Sequence, residues 1–163
     1  MTIRTAVRPW LVAAILMLLA ATAAYAQPPA APYLNAAPPP GMARIWFYRD
    51  LNPNETLAMA YIRLNGAAVG VSEAGGAFYR DVAPGRYRIS VDSYYQDPHN
   101  DADVVLAPGM EPYAKVLPMD SFIMGGGGSV GGGYRRNNFV VWLYPPEIGR
   151  QAVARSYFTA GGS

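Results

Sequence analysis

The stretch Arg86-Tyr87-Arg88-Ile89-Ser90-Val91-Asp92-Ser93-Tyr94 decides the fold. Tyr87, Ile89 and Val91 alternate with Arg86, Arg88, Ser90 and Asp92. A period of two sends one set to a core and the other to water, which is the pattern of a strand with one solvated face. Pro84-Gly85 precedes it and Gln96-Asp97-Pro98-His99-Asn100 follows it. Both are turn compositions: proline presets φ at the first central position, glycine permits the second, and Asp or Asn side chains bond the backbone just beyond them.

The same punctuation recurs on either side. Towards the N-terminus, Arg44-Ile45-Trp46-Phe47-Tyr48-Arg49 is rich in β-branched and aromatic residues and stops at Asp50-Leu51-Asn52-Pro53-Asn54. Leu57 to Leu64 runs into Asn65-Gly66, whose two residues tolerate the positive φ that a type I′ hairpin turn demands, and Ala67 to Val71 returns. Gly75-Gly76 leads into Ala77-Phe78-Tyr79-Arg80. Towards the C-terminus come Asp103 to Leu106, the turn Pro108-Gly109, Tyr113 to Leu117, and Phe139 to Tyr144. The last is too uniformly apolar for a solvated face, which predicts a central position or a covered second face. Pro145-Pro146-Glu147 opens a helix, and Ile148, Ala152, Arg155 and Phe158 recur at helical spacing. The expectation is an all-β chain: a small antiparallel β-sandwich of about seven to eight strands over residues 42–158, with a short C-terminal helix docked on it and fraying after Phe158.

The ends read differently. Residues 1–26 have the layout of a secretory signal peptide: Arg4 and Arg8, an apolar stretch from Leu11 to Ala24, then Ala24-Tyr25-Ala26. The apolar stretch is shorter than the ~20 residues that span a bilayer. The expected product is therefore periplasmic or secreted after cleavage near Ala26, with no membrane insertion. A lipoprotein needs a cysteine directly after the cut, where Gln27 stands. Arg4 and Arg8 leave with the signal, so the 13 basic residues of the whole chain fall to 11 against 11 acidic ones. A neutral product offers no electrostatic basis for binding nucleic acid. The absence of cysteine removes disulfides, thiol nucleophiles and cysteine-ligated metals, and leaves stability to packing. Residues 27–41 contain six prolines and are expected to be an extended tether. Residues 159–163 are expected to be a disordered tail.

The segments Ala43 to Arg49, Leu64-Asn65-Gly66 with Val69-Gly70, Val82-Ala83-Pro84-Gly85-Arg86-Tyr87, and Leu106-Ala107-Pro108-Gly109 ahead of Tyr113 resemble, in that order, a bacterial family of unknown function. It occurs in secreted proteins and lipoproteins and has a small immunoglobulin- or transthyretin-like β-sandwich. The resemblance covers residues 43–117 and implies that fold and an envelope location. It carries over no catalytic residues, because the family has no established chemistry. The chain departs from it in lacking the lipobox cysteine and in carrying a glycine-rich insertion.

That insertion, the loop 124–134, contains Gly125 to Gly128 and Gly131 to Gly133. A phosphate-cradling loop needs Lys-Ser or Lys-Thr and a helix after it. Tyr134-Arg135-Arg136 and a strand follow instead, so the loop reads as a surface connection, with Tyr134, Arg135 and Arg136 as the candidate residues through which a partner would order it. Asp97, His99, Asp101 and Asp103 are competent metal ligands, but they lack the glycine and terminal glutamate of a calcium loop and read equally as a solvated hairpin tip. No nucleophile-elbow motif accompanies His99, no two carboxylates stand out as an acid/base pair, and no cofactor motif is present, so no enzyme is expected. Trp46 and Tyr48, like Trp142 and Tyr144, fall on the strand face opposite the core positions. They form either a second buried face under the helix or an open aromatic surface for a partner. The function expected is that of a non-catalytic module that binds or scaffolds an envelope protein or glycan, with a carbohydrate- or metal-binding accessory module as the alternative.

Overall fold

The structure, a computed structural model, describes residues 28–94, 97–123 and 134–160. Among these, strands β1 (Ala43–Tyr48), β4 (Gly76–Val82), β7 (Tyr113–Ile123), β8 (Tyr134–Tyr144) and β9 (Tyr157–Phe158) form a five-stranded sheet in the order β8-β7-β1-β4-β9. Strands β2 (Ala60–Leu64), β3 (Ala67–Ser72), β5 (Gly85–Val91) and β6 (Ala102–Leu106) form a four-stranded sheet in the order β3-β2-β5-β6. The described residues make a β-sandwich with one α-helix, α1 (Pro146–Arg155). Pairing is antiparallel except between β1 and β7 and between β4 and β9.

The alternation in β5 does what its period predicts. Ile89 and Val91 are buried between the sheets with Ile62, Leu64 and Leu106, against Ile45, Phe47, Phe78, Val116, Phe139 and Val141 of the other sheet, and Tyr87 closes the margin. Asn65 and Gly66 have φ of 49° and 86°, as the type I′ turn requires, and join β2 to β3.

Strand β1 departs from simple alternation, since every one of its residues is buried. Ile45 and Phe47 face the sandwich core. Trp46 and Tyr48 face the opposite way, into a second apolar layer made with Tyr113, with Ala152 and Val153 of α1, and with Ala30 and Leu34. The last two residues overturn the expected tether. Residues 31–35 form a single 3₁₀ helix with proline in its first turn, where a missing N–H costs nothing. The segment is pinned on both sides: Ala30 N–H donates to Ser156 O at 2.9 Å, Phe158 N–H donates to Pro28 O at 2.6 Å, and Tyr33 stacks on Phe158 with ring centroids 3.9 Å apart. Prolines forbid a ladder, but they permit one tight turn that buries the leucine between them.

The C-terminus is also more ordered than expected. Helix α1 ends at Arg155, and Tyr157 and Phe158 then pair with Gly76 and Ala77 as a short strand instead of fraying out of a helix. Thr159 N–H donates to Ala77 O at 3.0 Å, so the chain is held past the point where a disordered tail was expected; residues 161–163 lie outside the described residues. Strand β8 is an edge strand and not a central one. Its flank is covered by the chain leaving β5: Tyr94 N–H donates to Asn137 O at 3.2 Å and Phe139 N–H donates to Ser93 Oγ at 2.9 Å. The glycine-rich loop lies outside the described residues, save that Tyr134 already belongs to β8.

Two substitutions test the second layer. A Cβ on Gly149 would sit 2.3 Å from Tyr113 Cβ, so glycine is what lets α1 lie directly on the sheet. Gly149→Ala is expected to lower unfolding stability in urea by about 1–3 kcal/mol through overpacking, in spite of the roughly 1 kcal/mol that alanine gains in helix propensity. Leu34→Ala is expected to cost about 2 kcal/mol in the same measurement, where a free tether would show no change.

Candidate interaction surface

The aromatic residues singled out from sequence divide into two groups. Trp46 and Tyr48 are 0% and 2% exposed, under α1 and the N-terminal segment, and so offer no surface to a partner. Trp142 is 57% exposed and Tyr144 half-buried. They stand on the same side of β8, beyond the cover of the helix. Sequence gives all four the same outward register; what separates them is how far the covering layer reaches.

Lys115 completes this surface. It lies directly across from Trp142 in the β7–β8 register. Its Nζ is 2.6 Å from Asp50 Oδ2, 5.2 Å from the centre of the Tyr144 ring and 6.0 Å from that of Tyr48. The ammonium is therefore held by one carboxylate and by the faces of two rings, while Asp50 remains about half exposed. The arrangement is a flat exposed indole beside a fixed ion pair, with a second aromatic ring below it. Lys115 and Asp50 carry no local motif, and only the strand register brings them together. That Lys115 is the chain's only lysine among its basic residues was the single trace of it in the sequence.

Tyr134, Arg135 and Arg136 pair through their backbones with Ile123, Phe122 and Ser121; their side chains lie outside the described residues. Arg136 is six positions along β8 from Trp142, about 20 Å at the strand rise, so the structure does not gather the two groups into one site.

The four candidate metal ligands also separate. Asp97 Oδ1 accepts the His99 backbone N–H at 2.9 Å and lies 2.8 Å from His99 Nδ1. These contacts, the backbone one foremost, lower the carboxyl's pKa and make a capped turn into the 3₁₀ helix Pro98–Asn100. Asp101 accepts from Arg88 Nε at 2.8 Å, and Asp103 stands opposite Arg88 across the β5–β6 ladder. Both acids thus serve an arginine on the outer face of the four-stranded sheet. Among the described residues, no three metal-ligating side chains converge.

No family model, curated protein or solved structure matches the chain.

Burial, reinforced by the nearby Asp50 and Tyr144, raises the pKa of the Tyr48 phenol far above its ordinary value. Its hydroxyl has no hydrogen-bond partner among the described residues. Because the folded pKa lies above the unfolded one, the neutral phenol contributes its full stability below pH ~10 and loses it as pH rises toward the folded pKa. Tyr48→Phe is expected to flatten the alkaline decline in Tm above about pH 10 and leave the Tm at pH 7 nearly unchanged. An unaltered alkaline limb would exclude a buried Tyr48 as its source.

Proposed function

We propose that the protein is a non-catalytic, periplasmic or secreted β-sandwich module that binds another component of the cell envelope through the surface around Trp142. The observation that carries this reading is an indole 57% exposed beside a lysine and a carboxylate already locked in place. Large, rigid aromatic side chains gain contact area at little entropic cost, and tryptophan is enriched among the residues that dominate binding energy. The charged groups support a binding role over a chemical one. Arg44 pairs with Asp81, Arg63 with Asp92, Arg88 with Asp101 and Lys115 with Asp50, each at 2.6–2.8 Å, so these carboxylates are engaged in holding arginine or lysine.

Export rests on the character of residues 1–26, which lie outside the described residues. Among those described, no helix is long and apolar enough to cross a membrane. The immunoglobulin- or transthyretin-like assignment and the kinship with the bacterial secreted family belong to the same proposal, and the two facing sheets agree with the sandwich class on which both rest.

A glycan is the second reading, favoured by the Lys115–Asp50 pair alongside an exposed ring, since sugars stack on an aromatic face and hydrogen-bond to charged neighbours. One experiment separates the partners. The protein and its Trp142→Ala variant are used to capture ligands from envelope extracts, with Tyr61→Ala on the other sheet as control. Trp142→Ala is expected to weaken capture roughly thirtyfold, the size of a hot-spot loss near 2 kcal/mol, and Tyr61→Ala to leave it unchanged. Protease sensitivity of the captured species assigns a protein partner. Resistance, with a change in Trp142 fluorescence on adding purified envelope polysaccharide, assigns a glycan. Equal capture by all three proteins rejects the surface.

A further inference from the structure

The sandwich has four sheet edges, and three are protected by recognisable devices. Strand β8 is flanked by Ser93 and Tyr94. Strand β9 has only two residues and is bridged by Pro29. Strand β6 carries Asp103 on its five residues, with Asp101 just before it. Shortness, cover and charge are three of the standard means of preventing edge-to-edge association, and a β-bulge is another. Strand β3 has neither cover nor charge. Ala67-Ala68-Val69-Gly70-Val71-Ser72 contains no charged residue and no proline, pairs only with β2 among the described residues, and exposes Ala67 and Ala68. The one such device it carries is a bulge that leaves Val69 out of the pairing with β2.

We infer that β3 is a self-association edge: two copies of this chain pair their β3 strands antiparallel about a two-fold axis near Val69 and Gly70, joining two four-stranded sheets into one. The edge is its own complement under that operation, as an isologous interface must be. Antiparallel pairing about this centre sets Ala68 opposite Val71 of the second copy, and Gly66 opposite its Glu73. Ala68 and Val71 are on the outer side, aligned with Arg63 and Tyr61 of β2. Glu73 borders the same outer face, where it lines a shallow depression with Met59, Tyr61 and Val71. Arg63 already reaches the Gly66 end, donating to Gly66 O at 3.2 Å. Glu73, whose carboxylate already accepts from the Tyr157 hydroxyl at 3.4 Å, comes to the Gly66 end of the second copy, where Asp92 holds the Arg63 guanidinium, and no like charges face each other across the junction. Six residues a side bury less than the roughly 1,200 Å² of a stable interface, so the association is concentration-dependent.

The test uses the protein expressed from its whole coding sequence and measures mass by sedimentation across a concentration series. The average mass is expected to climb from that of one chain to twice that value. Ala68→Glu, at an exposed position that the monomer tolerates, places a carboxylate diagonal to Glu73 of the second copy and is expected to return the mass to one chain. Independently, the double substitution Ala68→Cys/Val71→Cys in this cysteine-free chain, which sets each thiol directly opposite one of the second copy, is expected to give a disulfide-linked dimer on oxidation, and Val105→Cys on the opposite edge is not. A single-chain mass at every concentration overturns the inference, and so does a dimer indifferent to Ala68→Glu. A monomer whose β3 amides gain hydrogen-exchange protection only when envelope extract is added assigns the edge to a foreign strand and likewise overturns self-pairing. Trp142→Ala is expected to leave the dimer intact, so failure here and failure of the Trp142 surface are read separately.

Discussion

Burial of β1 on both faces is the constraint around which the molecule is arranged. A strand in the middle of a two-layer sandwich has one face in the core and one toward solvent, yet here Trp46 and Tyr48 are as inaccessible as Ile45 and Phe47. A disulfide-free chain that puts a tryptophan and a tyrosine on the outer side of its central strand has to supply a third layer. Helix α1 alone does not suffice. At 10 residues it is about 15 Å long, against a sheet of five strands about 19 Å across from first to last. The N-terminal 3₁₀ turn and the C-terminal β9 extend the cover toward β4, and neither reaches β8. Trp142 is exposed for this geometric reason.

Two arginines bracket β1 and tie this arrangement to its surroundings. Arg44, 3% exposed, makes a two-pronged contact with Asp81 at 2.7 and 2.9 Å, lies 3.8 Å from the centre of the Tyr79 ring, and donates to Ala36 O. Its hydrogen bonds to Asp81 outweigh the desolvation that opposes them and raise its pKa. Arg49 is 1% exposed and donates to the carbonyls of Thr56 and Ala58, with desolvation lowering its pKa. One guanidinium holds the N-terminal segment and the other holds the loop that carries the chain from one sheet to the other. A buried charge that loses its partners is costly, so each arginine makes docking of its segment a condition of folding.

Much of this was legible locally. The alternation of β5, the Asn65-Gly66 hairpin and the proline-led start of α1 are each properties of a few adjacent residues, and each is found where its chemistry puts it. What failed to show was decided by distant parts of the chain. The prolines of residues 28–40 argue correctly against a strand, but nothing in them says that Leu34 finds a pocket between Trp46 and α1. The apolar run Phe139 to Tyr144 reads as doubly buried, whereas Val140 is buried and Trp142 two positions later is not. The pairing of Lys115 with Asp50 joins residues 65 positions apart and follows only from β1 and β7 running parallel.

The two sheets manage their outer faces by opposite means, and the difference explains where contacts with other molecules remain open. On the five-stranded sheet, aromatic residues face outward and other parts of the chain bury them, which leaves one uncovered indole at the rim. On the four-stranded sheet, no element is spent on cover; arginine–aspartate pairs at Arg63–Asp92 and Arg88–Asp101 keep the middle of the face wet. Surface ion pairs of this kind add little stability, of the order of 1 kcal/mol or less, but they protect a face and not the edge beside it. Strand β3 carries no charge of its own, and its small side chains neither cover nor repel. The surfaces left available are thus the remainders of two separate solutions to covering a sheet: an aromatic rim where the third layer stops, and a bare edge where the ion pairs stop.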